Sequence, residues 1–193
     1  MTDSRRAILG RIGRSSSVAS SHGPDPVPRA YRQVGVLPRG EVLSRFAERL
    51  EDYHARVTRV GKAGLAGAVA VALGARGVRR LAVAPGLPQA WLAALDPSLE
   101  ILHDGFPGVL SHAELSATGG VLSSCALAIA ETGTLVLDGG AGQGRRALTL
   151  LPDYHLCVVE AGQVVETIPE SVAALAAAVM ARGAPLTFIS GPS

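Results

Sequence analysis

The stretch Ala128 to Val159, AIAETGTLVLDGGAGQGRRALTLLPDYHLCVV, decides the reading of this chain, because a strand pair, a glycine-dense loop and twin arginines follow one another directly. Thr134 to Leu137 is an apolar, β-favouring run. Gly139, Gly140, Gly142 and Gly144 then let the backbone turn sharply and leave N–H groups uncovered. Arg145 and Arg146 add fixed positive charge whose planar forks match carboxylate or phosphate oxygens. The order predicts an anion site at Gly142, Gln143, Gly144, Arg145 and Arg146, for a small carboxylate or a phosphorylated metabolite. A plain turn with solvated arginines is the competing reading. Dinucleotide binding is disfavoured, since the glycines fall as G-x-G-x-G and position 145 is arginine where the fingerprint needs glycine.

Working outward, Ala126 to Ala130 and Thr134 to Asp138 flank Glu131-Thr132-Gly133, a hairpin-like turn in which glycine supplies the positive φ. Glu131 is the carboxylate singled out here. Between two apolar strands it requires a partner, either an arginine of the loop or a ligand, so Glu131, Thr132, Gly133 and Thr134 join the expected ligand-binding set. Tyr154 to Val159 reads as a buried strand with His155 at its mouth, Pro169 to Arg182 as a helix and Pro185 to Ile189 as a last strand. His155 is the best single histidine for a site, against the commoner role of a hydrogen-bonded strand-edge imidazole.

Upstream, Val42, Leu43, Phe46, Leu50 and Tyr53 mark a helical face, followed by a short β run at Val57 to Val60. Leu65 to Leu73 is a small-residue helix, Arg80 to Ala84 a buried strand, Gln89 to Leu95 a short helix and Glu100 to His103 another strand. The alternation predicts an α/β class with a central, mostly parallel or mixed sheet and helices on both faces, with Arg80 to Ala84, Thr134 to Asp138, Tyr154 to Val159 and Leu186 to Ile189 in one sheet. Residues 1–36 form an N-terminal helix, capped at Asp3 or Ser4 and fading at Gly13, and a Ser/Pro-rich arm, Ser15 to Pro28, expected to be mobile; residues 37–193 form the α/β domain.

Four ordered blocks carry a family resemblance: Ile129-Ala130-Glu131-Thr132-Gly133-Thr134, Gly142-Gln143-Gly144-Arg145-Arg146-Ala147-Leu148, Leu151-Pro152-Asp153-Tyr154-His155 and Ile189-Ser190-Gly191-Pro192-Ser193. Together they resemble the lactate-utilisation protein C family, the stand-alone LUD domain. The resemblance is strong from about Ser116 onward and fainter from Leu37 to Leu115. It implies a sheet similar to the ribose-5-phosphate isomerase and CoA-transferase superfold (NagB/RpiA/CoA-transferase-like). It also implies a role in oxidising L-lactate to pyruvate beside iron–sulfur partner proteins, and a further polar segment after the last block. Where relatives carry an acidic residue before the first block, this chain has Ser123-Ser124-Cys125-Ala126-Leu127.

Composition narrows the function classes. The chain has 193 residues, 48% hydrophobic and 18% charged, enough for one sizeable core. Aromatic content of 4% leaves few stacking platforms, and a net charge of +2 is too small for a polyanion partner, so no nucleic-acid role is expected. Cys125 and Cys157 are far apart and form no C-x-x-C pair. Two thiols cannot hold an iron–sulfur cluster by the usual four thiolates, so clusters are expected only in partner subunits and no cofactor in this chain. His103-Asp104, His112-x-Glu114 and Asp153-x-His155 lack metal-site spacing, so no metal is expected. The N-terminus lacks a secretory apolar region and no run approaches the ~20 residues of a membrane span, which together predict a cytoplasmic protein. Three functions stay open: a non-redox subunit of a lactate-oxidising system, an independent enzyme acting on a sugar phosphate or acyl-CoA, and a metabolite sensor.

Overall fold

The computed structural model describes residues 2–16, 28, 30–105 and 108–191. The chain divides into two units, Met1–Arg32 and Gln33–Ser193. In the first, α1 spans Thr2–Ser16, so that it begins before the expected caps Asp3 and Ser4 and runs three residues past Gly13, with Ile8, Leu9 and Ile12 exposed. Most of the arm expected to be mobile, Ser15 to Pro28, lies outside the described residues.

The second unit is α/β, as its alternating periods imply, but its strands divide between two four-stranded sheets. In the first, β1 (Arg80–Val83), β2 (Glu100–His103), β3 (Gly120–Ser124) and β6 (His155–Val158) run parallel in the order β2-β1-β3-β6. In the second, β4 (Leu127–Ile129), β5 (Thr134–Leu137), β7 (Val164–Val165) and β8 (Thr187–Ile189) form a mixed sheet in the order β7-β4-β5-β8. The expectation of one sheet for all four named strands is thus corrected: β1 and β6 belong to the first, β5 and β8 to the second. The chain passes from one to the other through Ser124, Cys125 and Ala126 with no glycine or proline to signal the change, and Ala126 N–H already donates to Val136 O at 2.8 Å.

Strand alternation explains why the second sheet needs a helix on each face. Ala128 and Ala130 pack with Val42 and Phe46 of α2 (Arg39–Asp52), whereas Leu127, Ile129 and Val136 pack with Leu175 of α6 (Ile168–Arg182). Alanines on one side let α2 approach closely. In the parallel sheet, Leu81, Val83, Val121 and Leu122 are buried among Val69 and Leu73 of α3 (Leu65–Ala75), Leu115 of α4 (His112–Ser116) and Leu148 of α5 (Arg146–Leu150). Each buried leucine contributes about 2 kcal/mol relative to exposure. Residues 57–60 are not a strand: Val60 is exposed, and Arg59 Nη2 donates to Leu43 O at 2.7 Å, holding the segment as a loop against α2. Gln89–Leu92 is a 3₁₀ turn.

Residues 33–38 are strapped to the start of α6 by carboxylates. Glu170, the N3 residue of a capping box with Thr167, accepts from Thr167 N at 2.8 Å, Glu166 N at 3.0 Å and Gly35 N at 3.0 Å. Glu166 Oε2 accepts from Leu37 N at 2.8 Å, and a Cβ on Gly35 would overlap the Glu166 side chain. Although desolvation works to raise it, the hydrogen bonds from Gly35, Thr167 and Glu166 hold the Glu170 pKa below the ordinary glutamate value. The folded-state pKa being the lower one, this contribution is present above the ordinary glutamate pKa and is lost as pH falls through the lowered value. Thermal midpoints followed from pH 7 downward are expected to fall more steeply for the parent than for Glu170→Gln below about pH 4.5; parallel curves would show that the strap does not couple to protonation.

Candidate functional site

The parallel strands β1, β3 and β6 deliver their carboxyl ends to one side, where open α/β sheets place ligands. The glycine loop, residues 139–144, lies across those ends because β5 runs out beside them. Three of its amides help to build the loop. Gly142 N–H donates to Pro85 O at 2.7 Å, Gly140 N–H to Asp138 Oδ1 at 2.9 Å and Gln143 N–H to Gly140 O at 3.1 Å, while Gly142 O accepts from Ser124 N at 2.7 Å. Gln143 is buried and its Oε1 accepts from Asp138 N at 2.6 Å. At Gly142, φ is 77° and a Cβ would meet Ser124 Oγ at 2.5 Å, so glycine is required on both conformational and steric grounds.

Beside the loop opens a cleft of about 620 Å³ walled by Ser124, Cys125, Asp138, Gly140, Ala141, Gln143 and Gln163, with Leu127, Val165 and Leu175 as its apolar side. Gln163 is fixed at both ends, Nε2 donating to Cys125 O at 2.7 Å and Oε1 accepting from Glu160 N at 2.8 Å. Among the described residues, Asp138 is the one carboxylate on the wall, and no lysine, arginine or histidine lines it. Ser124, Cys125, Asp138 and Gln163 were not singled out from the sequence; the polar Ser123-Ser124-Cys125 step at the end of an apolar run was their one visible signal.

The arginines do not face this cleft. Arg145 Nε and Nη2 donate to Asp104 Oδ2 and Oδ1 at 2.9 and 3.0 Å, and Nη2 also donates to Leu110 O. Asp104 is 3% exposed and its Oδ1 accepts from Leu110 N at 2.9 Å, so the guanidinium is the counter-charge of a buried carboxylate. Arg146, the first residue of α5, is exposed. The Gly140, Gly142 and Gln143 amides are thus engaged within the fold, and the Arg145 fork is turned to Asp104.

Glu131, Thr132, Gly133 and Thr134 lie at the other end of β5, which at roughly 3.4 Å per residue is roughly 10 Å long. There Gly133 adopts φ 61° against Arg49 of α2, Glu131 N–H donates to Glu166 O at 3.0 Å and Glu131 is exposed. Thr134 Oγ1 lies 2.7 Å from both Thr132 Oγ1 and Ser190 Oγ, a three-hydroxyl chain joining the hairpin to the end of β8. His155 belongs to a third place: its Nε2 is 2.7 Å from Ser123 Oγ within the parallel sheet, beside Cys157. The ten residues thus fall into three groups rather than one. Among the described residues no three His, Cys, Asp or Glu side chains are grouped to hold a metal, and no helix is long and apolar enough to cross a membrane.

Comparison with known proteins supplies a context for this geometry. Residues 108–193 match the LUD domain. The chain is 45% identical, over 99% of its length and 84% of the relative's, to lactate utilization protein C of Deinococcus radiodurans. A crystal structure of a DUF162 family protein from Deinococcus radiodurans superposes with a TM-score of 0.74 at 48% identity, covering 81% of this chain and 90% of that one.

Arg145→Ala leaves Asp104 buried without its counter-charge. With the guanidinium partly solvated, the expected loss is roughly 2–3 kcal/mol in denaturant unfolding, toward the low end for a broken pair. Replacing both partners, Asp104→Leu with Arg145→Met, should recover part of that loss. A single variant as stable as the parent would show the pair to be dispensable.

Proposed function

This chain belongs to the LUD-domain family of lactate utilization protein C, and on that premise we propose that it acts in lactate utilisation as a non-redox subunit beside iron–sulfur partner proteins. The observation that carries the proposal is the 45% identity maintained over 99% of the chain. Oxidation of L-lactate to pyruvate releases two electrons and two protons. The electrons need a carrier, and with two cysteines this chain falls short of the four thiolates a cluster usually takes, so the carrier is assigned to partners. The chain's own share is to bind the small carboxylate and to position those partners.

The cleft at the carboxyl ends of the parallel strands is the proposed ligand site. Its wall favours a small hydroxy or keto acid over a phosphorylated metabolite. Hydroxyl and amide groups of Ser124, Gln143 and Gln163 suit a compact polar ligand, whereas a dianionic phosphate would sit beside the Asp138 carboxylate, with no cation among the described wall residues. The same charge argument counts against a sugar phosphate or acyl-CoA substrate. A cytoplasmic setting follows from the proposed role.

Two measurements test this reading. L-lactate-dependent electron transfer by the iron–sulfur partners should drop when the chain is omitted and return when it is added back; a rate indifferent to the chain would remove the subunit role. Calorimetry with pyruvate and L-lactate should show binding that Asp138→Asn strengthens by up to roughly tenfold, since the amide keeps an acceptor for Gly140 N–H while removing a like charge. An unchanged affinity would place the ligand outside the cleft.

A further inference from the structure

One donor on the cleft wall is held in place without a protein partner. Gln143 is 5% exposed, and its Oε1 accepts from Asp138 N at 2.6 Å, a bond that fixes which way round the amide lies. Its Nε2 is thereby committed to the other side. Among the described residues nothing accepts from Nε2, yet no buried side-chain nitrogen there lacks a partner, so this group opens onto the cleft that Gln143 lines. Gly140 keeps it uncovered, since a Cβ at that position would stand 3.3 Å from Nε2. A side chain so nearly enclosed, with its acceptor satisfied and its donor open, is set to receive an acceptor atom from a ligand.

The cleft has two kinds of wall. Gln143 and Ser124 give it a polar side from the glycine loop and the end of β3, and Leu127, Val165 and Leu175 give it an apolar side from β4, β7 and α6. Gln163 is pinned through Cys125 O and Glu160 N, so its amide does not swing into the space. A three-carbon acid, at roughly 30 Å³ per non-hydrogen atom by analogy with liquid water, fills under about a third of the cleft's volume of about 620 Å³. Such a ligand leaves the apolar side facing water. An aliphatic chain would cover it.

We propose that the cleft takes a 2-oxo or 2-hydroxy acid whose aliphatic side chain is larger than methyl, its head accepting from Gln143 Nε2 and its tail lying on Leu127, Val165 and Leu175. This rests on the reading of the cleft as the carboxylate site and narrows it. Because the Gln143 acceptor is already used, the head is read by a donor alone, which a carboxylate or keto oxygen satisfies and an ammonium group does not. With no cation among the described wall residues, the head gains a hydrogen bond and no ion pair. Burial of the tail then ranks one acid above another, by up to roughly fourfold for each methylene removed from water.

The test is calorimetry on the full chain with pyruvate, 2-oxobutanoate, 2-oxopentanoate and 4-methyl-2-oxopentanoate, in which affinity is expected to climb with chain length. Gln143→Glu keeps an acceptor for Asp138 N and replaces the donor with an oxygen, so it should weaken every acid by roughly ten- to a hundredfold while the steps along the series persist. A purely structural role for Gln143 would flatten the steps as well. Gly140→Ala, which crowds the same donor from the loop, should weaken the acids in the same even way and keeps the head contact testable if Gln143→Glu folds poorly. Pyruvate binding that responds to Asp138→Asn but gains nothing from a longer chain would overturn the inference and leave the carboxylate cleft standing. Binding of none of the acids would remove both. A chain-length gain that neither variant weakens would place the head elsewhere and overturn the role of Gln143.

Discussion

The backbone of Gly142 is the point on which the two sheets depend. Its N–H reaches the carbonyl just beyond β1 and its carbonyl takes the N–H at the end of β3, while the loop it belongs to descends from β5 in the other sheet. One residue therefore ties three strands. It can do so only without a side chain, because its φ is in the left-handed region and Ser124 Oγ occupies the place of a Cβ. The cleft exists because this stitch holds the ends of the parallel strands against the start of the mixed sheet.

Electrostatics in this fold are spent on holding loops in place. Arg145 satisfies Asp104, and Glu170 and Glu166 satisfy amides of the strap preceding α2. Among the described residues, the cleft is left with neutral donors and one carboxylate.

What could be read from the sequence was what is local. The helical face of α2, the hairpin at Gly133 and the strand ending at Val158 follow from periodicity and turn chemistry within a few residues. The division into two sheets was not legible, since Ser124-Cys125-Ala126 carries no turn signal and sheet membership is set by pairing with distant strands. The role of Arg145 was hidden for the same reason, as Asp104 lies 41 residues upstream. Glu131 and the glycine loop look like neighbours in sequence, but a strand lies between them and puts them at opposite ends of the sheet.

The hydroxyl chain Thr132–Thr134–Ser190 fastens the last strand without using charge. Three hydroxyls making two bonds can be satisfied with the protons running either way along the chain or with Thr134 accepting both, and each arrangement retains one donor for a neighbour. None of the three groups titrates between acid and mildly alkaline pH, and mobile ions have nothing there to screen. The two ends of this unit are thus secured by different physics: the strap before α2 answers to protons and its carboxyl-terminal strand is indifferent to them.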